Sequence, residues 1–230
     1  MACRAKSAAE HAWLAAEHAG NAGNTGLRSR ALGWYLLTLM KSPASAATIE
    51  KEVQTVRSAD SAPYLDAFIE FVRAELARLD GRFEDSRRLN RRAIELWGSM
   101  EIHVLAAACW QGLAETELSA ADPASALSCL LHADAGLARV GESGYRSTVQ
   151  ALLSRVYELL GEHQAAHDAI LLSDDWSPFE DRVNYAITRG VRARLALHDG
   201  MLDEAETVGA QRRRAGPPDR SHPSPSQGGA

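Results

Sequence analysis

Aromatic residues are scarce in this chain, and that scarcity argues against several fold classes. Phe, Trp and Tyr make up 6% of the 230 residues, although 46% of the chain is hydrophobic. Alanine and leucine carry most of the apolar share, which is lean material for a β-sandwich or a layered α/β enzyme. The composition therefore disfavours both classes.

Cysteine is also rare. Cys3, Cys109 and Cys129 are odd in number, widely spaced and free of any C-x-x-C pair. This pattern argues against a disulfide framework and against a structural zinc site. A reducing compartment fits best, so we expect the chain to be cytoplasmic.

Long hydrophobic runs are absent as well. No apolar run approaches the ~20 residues needed to cross a bilayer. The start of the chain leads into His11, Trp13 and Glu17 instead of an unbroken apolar stretch, unlike a secretory signal. We expect neither membrane insertion nor export.

Positive charge is in deficit over most of the chain. The formal net charge is −5 at pH 7, yet range 211–230 holds four arginines against Asp219 alone. The residues before this range are therefore more acidic than the total suggests. A region with this negative net charge repels a phosphate backbone, so we do not expect this chain to bind nucleic acid.

Sequence motifs of several enzyme classes are missing. The chain has neither a G-x-x-x-x-G-K-[ST] phosphate loop nor a G-x-S-x-G nucleophile elbow. Gly20, Gly23 and Gly26 are spaced loosely like a dinucleotide loop, but without a preceding strand they predict a connector. We predict a non-enzyme with no catalytic residue and no cofactor.

The chain does contain an internal repeat of about 40 residues. Five short segments begin at Lys41, Gly81, Ala121, Gly161 and Gly200, and each places Ala or Ser five positions on. We interpret each segment as the turn between two paired helices. The small residue is then expected where the two helices cross closely.

Two of these turns carry a signal for the start of a helix. Pro43 follows Ser42, and Pro123 follows Asp122. A capping residue before a proline at the first helical position is typical of a helix start. We therefore predict helices that begin near residues 43 and 123.

Two apolar rows upstream of the turns predict the first helix of each pair. The first row is Leu32, Val72, Gly112, Leu152 and Val191, and the second is Leu36, Leu76, Thr116, Val156 and Leu195. A separation of four residues puts both rows on one helix face. Gly112 and Thr116 break the rows. We expect the middle helix to be rotated or shifted by a residue, using Trp110, Leu113 and Leu118 instead.

The fold class that follows is all-α, a right-handed α-solenoid of about five helix pairs. The predicted pairs are 27–40 with 43–57, 64–80 with 83–97, 102–119 with 123–139, 146–160 with 163–173, and 181–199 with 202–212. Residues 1–26 are predicted to hold the trailing helix of an incomplete repeat, near 5–19, plus a loop. Residues 27–210 form the repeats, and residues 211–230 a disordered tail.

The tail differs sharply in composition from the repeats. Four of the 8 prolines fall within 217–225, where no helix persists and no apolar face is available for packing. We interpret it as the product of a truncation or a reading-frame change near residue 210, with a functional linker as the alternative. The chain is thus expected to be a fragment of a longer array.

The middle repeats resemble a known family. Trp110, Leu113 and Ala114, followed by the turn at Ala121 and by Ala126 and Ala133, resemble a tetratricopeptide repeat (TPR). A similar copy is formed by Leu153, Ser154, Tyr157, Gly161 and Ala166. The resemblance implies a TPR-like solenoid with a period of about 40 residues.

Longer stretches that begin at Glu101, Gly144 and Asn184 look similar to the C-terminal helical arrays of large bacterial signalling regulators. In such regulators a nucleotidyl cyclase or DNA-binding domain is followed by a signal-transduction NTPase and then by these repeats. The resemblance implies a sensing or scaffolding arm. It implies no cyclase or NTPase activity for this chain, because the parts that carry those activities are absent.

The resemblance also implies a partner-binding groove along the first helices. Its candidate residues are Tyr35, Glu75, Arg78, Gln111, Glu115, Arg155, Glu158 and Arg194. Along the groove, these side chains change from aromatic and acidic to basic. Charge is therefore expected to set the orientation of a bound extended peptide or neighbouring domain. In the alternative interpretation, Glu115 pairs with Arg155 on the next helix and binds nothing.

Two further clusters are interpreted as ordinary surface features without a binding role. His163 and His167 share a helix face that suits a divalent metal, but Gln164 replaces the glutamate of the catalytic zinc pattern and no third ligand is evident. We predict no metal site there. The basic run 87–92 is interpreted as a solvated helix face, paired with Glu84, Asp85 and Glu95.

The sequence therefore predicts a non-catalytic scaffold that binds a partner protein or a neighbouring domain of its parent protein. The chief alternative is a domain that senses a small-molecule effector and controls an attached NTPase or cyclase. A distant third is a metal-dependent enzyme built around His163. An apolar pocket favours the sensor, and a flat charged groove favours the protein binder.

Overall fold

The computed structural model describes residues 2–59, 62–177, 181–202 and 207. Over that part of the chain it holds ten helices and no strand, which confirms the predicted all-α solenoid. The helices are α1 (Ala2–Asn21), α2 (Thr25–Met40), α3 (Ala46–Ala59), α4 (Pro63–Leu79), α5 (Phe83–Ser99), α6 (His103–Ser119), α7 (Pro123–Arg139), α8 (Gly144–Leu159), α9 (His163–Trp176) and α10 (Arg182–His198). The predicted tail and most of the helix expected over 202–212 lie outside the described residues.

One kind of turn joins the helices from α4 to α9. In each turn a single residue takes the left-handed backbone conformation, with φ of 75° at Gly81, 58° at Glu101, 61° at Ala121, 69° at Gly141 and 77° at Gly161. The amide after it then reaches back to the helix it has left: Arg82 donates to the Ala77 carbonyl at 2.8 Å, and Glu162 to that of Tyr157 at 2.9 Å. This pattern satisfies carbonyls at the helix end. Identical turns and helices of nearly equal length set the repeat.

The core runs along the array as successive clusters. One cluster lies among α1 to α4 and includes Leu36, Val53 and Leu65, and another lies among α6 to α9 and includes Leu130 and Leu153. This is the arrangement expected when each helix buries its apolar face against its neighbours. None of the described helices combines the length and the apolar character that a membrane span needs.

The predicted apolar rows are confirmed at every position but one. All row positions except Gly112 are buried. The expected shift of α6 is wrong, because α6 keeps the same register as α4 and α8. Thr116 stays in its row because its hydroxyl donates to the Gly112 carbonyl at 2.9 Å and lies 2.8 Å from the Ser86 hydroxyl. Phe71 fills the gap at Gly112, where an added Cβ would lie 3.0 Å from its ring.

The small residues five positions into the turn segments are buried at three of their predicted places. Ser86, Ala126 and Ala166 are fully buried where the paired helices cross. Ala46 is exposed, so the prediction is wrong there. The side chain of Ala205 lies outside the described residues.

The first three helices depart from the predicted pairing. A turn with left-handed Gly23 (φ 70°) folds α2 closely along α1, and α2 makes a much smaller contact with α3. Lys41 keeps an ordinary helical φ of −86°, so α2 does not end in the repeated turn. The predicted helix start near 43 is wrong, because the Ser45 hydroxyl caps α3 instead by accepting the amide of Thr48 at 3.2 Å.

The second predicted start is confirmed. The carboxylate of Asp122 accepts the amide of Ser125 at 3.0 Å, and Pro123 takes the first position of α7. The two proline-containing turns therefore differ. Pro123 is the first residue of its helix, whereas the helix after Pro43 begins three residues later.

Candidate partner-binding groove

The first helices of the pairs follow one another along the array and carry the candidate residues at equivalent positions. α4 contacts both α2 and α6, α10 contacts α8, and a hydrogen bond from Tyr145 to Gln111 connects α8 with α6. We call Glu75, Arg78, Gln111, Glu115, Arg155, Glu158 and Arg194 the groove row. Glu75, Glu115 and Arg155 occupy the same register position in α4, α6 and α8, so the repeat itself puts them on a common face.

At the α4 end of the groove row, opposite charges are locked together. Arg78 donates to both carboxylate oxygens of Glu75, at 2.5 and 2.8 Å, and reaches across to the Ser119 hydroxyl on α6 at 3.2 Å. The hydrogen bonds to Glu75 raise the pKa of Arg78, and attraction from Glu115 adds to this. This end is an ordered, charge-balanced surface.

In the centre of the groove row, Glu115 is held by a neutral partner. Gln111 donates its amide to Glu115 at 2.8 Å, and the hydroxyl of Tyr145 donates to the amide oxygen of Gln111 at 2.6 Å. Burial of the hydroxyl, with added repulsion from Glu115, raises the pKa of Tyr145. Tyr145 thus joins α8 to α6. No groove position in the sequence marks Tyr145, because it lies at the start of α8.

The alternative ion pair between Glu115 and Arg155 does not form. Arg155 is exposed and makes no ion pair with any residue that the structure describes. Beyond it, Arg194 Nε lies 2.8 Å from Glu158 Oε2. This contact has the distance of an ion pair but lacks the direction of a hydrogen bond. Among the described residues, Arg155 and Glu115 are therefore the groove-row charges without an ion pair, whereas Glu75 pairs with Arg78 and Glu158 with Arg194.

Tyr35 lies apart from the groove row. Its ring packs edge-on against Trp13 with centroids 5.2 Å apart, and its hydroxyl donates to Glu52 at 3.0 Å. These residues line an open pocket of about 930 Å³ between α1, α2 and the start of α3, with mostly apolar walls that include Leu14, Leu39 and Pro43. Burial, and then the bond to Glu52, raise the pKa of Tyr35 to about 12. The loose junction of α2 with α3 leaves this pocket open.

The basic run 87–92 is paired as predicted. Arg87, Arg88 and Arg92 form ion pairs with Glu84, Asp85 and Glu95, respectively. Arg87 has a further partner that the helix spacing did not predict, which is Glu117 on α6. Arg87 donates to both of its carboxylate oxygens, and the closest approach is 2.6 Å. This pair joins α5 to α6.

The two candidate histidines of α9 have different surroundings. The ring of His163 lies against His198 from the end of α10, with centroids 3.9 Å apart. Asp199 completes a group whose ligand atoms all lie within 4.8 Å of one another, and His167 is not part of it. Two of the three potential ligands therefore come from the end of α10 and the residue after it, and not from α9.

No protein-family model matches this chain, and no curated protein sequence matches it. Its structure is similar to the crystal structure of BtubC (BKLC) from P. vanneervenii, with a TM-score of 0.64 and 17% identity over 99% of this chain and 94% of that one. Two structures of a Podosopora anserina putative kinesin light chain with nearly identical TPR-like repeats have TM-scores of 0.51. One, of a form with a single substitution, is 17% identical over 91% of this chain and 93% of that one. The other is 16% identical over 93% and 95%. The chain therefore has the fold of a TPR-like helical repeat.

Proposed function

We propose that this chain is a non-catalytic scaffold that binds an extended segment of a partner protein along the groove row. The observation that carries the proposal is the exposed cation of Arg155, which makes no ion pair with any described residue. It lies on α8, whose Tyr145 is hydrogen-bonded to the Gln111 that orders the carboxylate of Glu115 on α6. The two groups have opposite charges and sit on neighbouring first helices. They offer a partner two different charges to neutralise.

The spacing of the two groups limits what can bind. Packed helices lie roughly 10 Å apart, and a peptide in the extended polyproline II conformation advances about 3.1 Å per residue and returns to the same face every three residues. A basic residue opposite Glu115 and an acidic residue opposite Arg155 are therefore about three positions apart in the partner. Because the two charges are opposite, they fix the direction in which the peptide runs.

The resemblance to regulator arrays supplies the biological setting of the proposal. The partner is a neighbouring domain of the parent protein or a separate cytoplasmic protein in signal transduction. The chain acts as the arm that holds this partner in a set orientation.

Peptide selection on the purified chain tests the proposal. Peptides selected from a random displayed library should carry a basic and an acidic residue about three positions apart. Arg155→Glu should weaken their binding at least tenfold, because it places like charges in contact. The melting temperature should stay unchanged, since Arg155 has no partner to lose among the described residues.

Arg88→Glu on α5 is the matched control, because Arg88 is exposed and lies outside the groove row. It should leave peptide binding intact. Equal losses in the two variants, or selected peptides without paired charges, would contradict the proposal. A double variant with Glu115→Arg and Arg155→Glu should instead prefer peptides with the two charges exchanged.

The pocket beside Tyr35 favours a second candidate function, the sensing of a small effector. Its volume of about 930 Å³ is in the range of small-molecule sites, which are mostly apolar with a few polar groups. The carboxylates of Glu10 and Glu52 are acceptors at its wall, so the suited ligand is an apolar ring compound that carries a hydrogen-bond donor. A fragment screen by ligand-observed NMR tests this candidate.

Hits in this screen should be lost in Trp13→Ala and retained in Arg155→Glu. The opposite outcome would place ligand binding on the groove row and remove the sensor. The two functions are thus separated by one pair of variants.

A further inference from the structure

Two helix ends bring a pair of imidazoles together at the far end of the array. His163 is the first residue of α9, and His198 is the last residue of α10. Their rings meet edge to face, with an interplanar angle of 80°. Asp199 follows directly, and its Oδ1 lies 3.2 Å from Nδ1 of His198.

The backbone fixes all three residues. After α9 is entered through Gly161, the amide of Glu162 is tied to the Tyr157 carbonyl at 2.9 Å. After α10, left-handed Gly200 (φ 74°) lets the amide of Met201 reach the Ala196 carbonyl, also at 2.9 Å. These hydrogen-bonded turns fix the backbone positions of His163, His198 and Asp199. The fold, and not contact among the side chains, therefore positions the three residues.

The distances suit a small metal ion. The potential ligand atoms all lie within 4.8 Å of one another. A tetrahedral zinc ion with bonds of about 2.0–2.1 Å needs its ligands roughly 3.4 Å apart. Small side-chain rotations close the difference, and the exposed side chains of His198 (63%) and Asp199 (44%) have room for them.

The donor set is typical of a borderline divalent metal. Two imidazole nitrogens and one carboxylate oxygen suit Zn²⁺, whereas a set without thiolate is less suited to Cu⁺ or iron–sulfur clusters. No lysine or arginine among the described residues forms an ion pair with Asp199, so its carboxylate is available for a cation. We propose that His163, His198 and Asp199 form a binding site for Zn²⁺, with water as the fourth ligand.

A metal at this site would join the first turn of α9 to the last turn of α10. Those two helices belong to successive pairs, so the ion would act as a clip between them. Metal binding that requires the folded geometry stabilises the fold by an amount that grows with the logarithm of the ratio of free metal concentration to Kd. The site is thus a stabilising clip for this end of the array.

Calorimetric titration of the full chain with zinc chloride tests the proposal. One Zn²⁺ should bind per chain, and saturation should raise the melting temperature by roughly 5 °C. His198→Gln and Asp199→Asn should each weaken binding by about tenfold or more and reduce that rise. Both replace exposed side chains, and circular dichroism of the metal-free variants should match that of the parent chain.

His167→Gln is the matched control, since it removes a histidine of the same helix that lies outside the group. It should leave the zinc affinity unchanged. If His167→Gln weakens binding as much as His198→Gln, the metal bridges His163 and His167 on one helix face and the proposed site is wrong. Unchanged binding in His198→Gln, or no binding in the parent chain, would overturn it as well.

Discussion

Helices α1 to α3 and helices α4 to α9 share one sequence period but pack differently. From α4 to α9 a left-handed residue closes each turn, and each helix folds back along the one before it. Between α2 and α3, Lys41 stays helical, and α3 begins three residues later than the repeat predicts. A repeated pattern of small and apolar residues therefore does not ensure that two consecutive helices pair closely. The backbone conformation of one turn residue decides whether the two helices pack closely.

The same difference is visible in the charged contacts between helices. Arg87 and Glu117 join α5 to α6, and the side chain of Glu117 is 6% exposed. Arg73 and Glu50 join α4 to α3, and the side chain of Glu50 is 42% exposed. The close packing of α5 on α6 buries the carboxylate of Glu117, and the sparser contact of α3 with α4 leaves the carboxylate of Glu50 in water.

The largest expected effect tests this contrast directly. Arg87→Ala leaves the buried Glu117 carboxylate without its partner, which should lower the free energy of unfolding by about 3 kcal/mol. Arg73→Ala should cost less than about 1 kcal/mol, because water solvates Glu50. Urea denaturation measures both values. Arg88→Ala, which removes an exposed ion pair, should not move the midpoint. Equal costs at Arg87 and Arg73 would mean that the two junctions are packed alike.

The next effect concerns the crossing points of the helices. Ala166→Leu should cost about 1–3 kcal/mol by overpacking a fully buried position. Ala46→Leu makes the same change at the corresponding position of the first repeat, where the alanine is exposed. It should leave the melting temperature nearly unchanged. A large loss at Ala46 would show that α3 pairs as the other second helices do.

The turn residues allow a smaller test in which the sign of the effect changes. Gly161→Ala should cost about 1 kcal/mol, because a side chain is disfavoured at φ 77°. Ala121→Gly should raise stability by about 0.5 kcal/mol, since it relieves the same strain. Lys41→Gly should lower stability, because Lys41 is helical. Thermal unfolding distinguishes these outcomes, and a gain at Lys41 would contradict the description of the first turn.

The smallest effect is on the pH dependence near the α2–α3 pocket. The pKa of Tyr35, raised from 10.0 to about 12, means that folding favours the neutral phenol. The stabilisation is present below pH 10 and is lost as the pH rises through 12. Absorbance titration at alkaline pH should show a late-ionising tyrosine that is missing in Tyr35→Phe. Glu52→Gln should lower the pKa but leave the part caused by burial, and an unchanged pKa would show that Glu52 contributes nothing.

Much of the array could be predicted because its signals are local. Helix periodicity located the apolar rows, and the turn segments marked three of the crossing points. Glu101 escaped notice, because its left-handed conformation comes from the packing of α5 and α6 and not from a turn-forming residue type. Thr116 looked like a defect because the hydroxyl of Ser86, which satisfies it, lies on a different helix.

The candidate site was predictable to a similar extent. Register alone put Glu75, Glu115 and Arg155 on one face. The contacts that Ser119 and Tyr145 make with the groove row depend on how far apart neighbouring helices lie, which spacing in the sequence does not give. The meeting of His163 with His198 is hidden for the same reason, since it joins the opposite ends of two different helices.

The uniform turns also have a consequence for how such a chain changes over generations. Because Gly81, Ala121 and Gly161 present the same backbone geometry, the segment between any two of them is an interchangeable cassette. Unequal recombination that deletes or duplicates one cassette joins ends whose shapes already match. The array can thus grow or shrink by whole helix pairs while every remaining joint keeps its form.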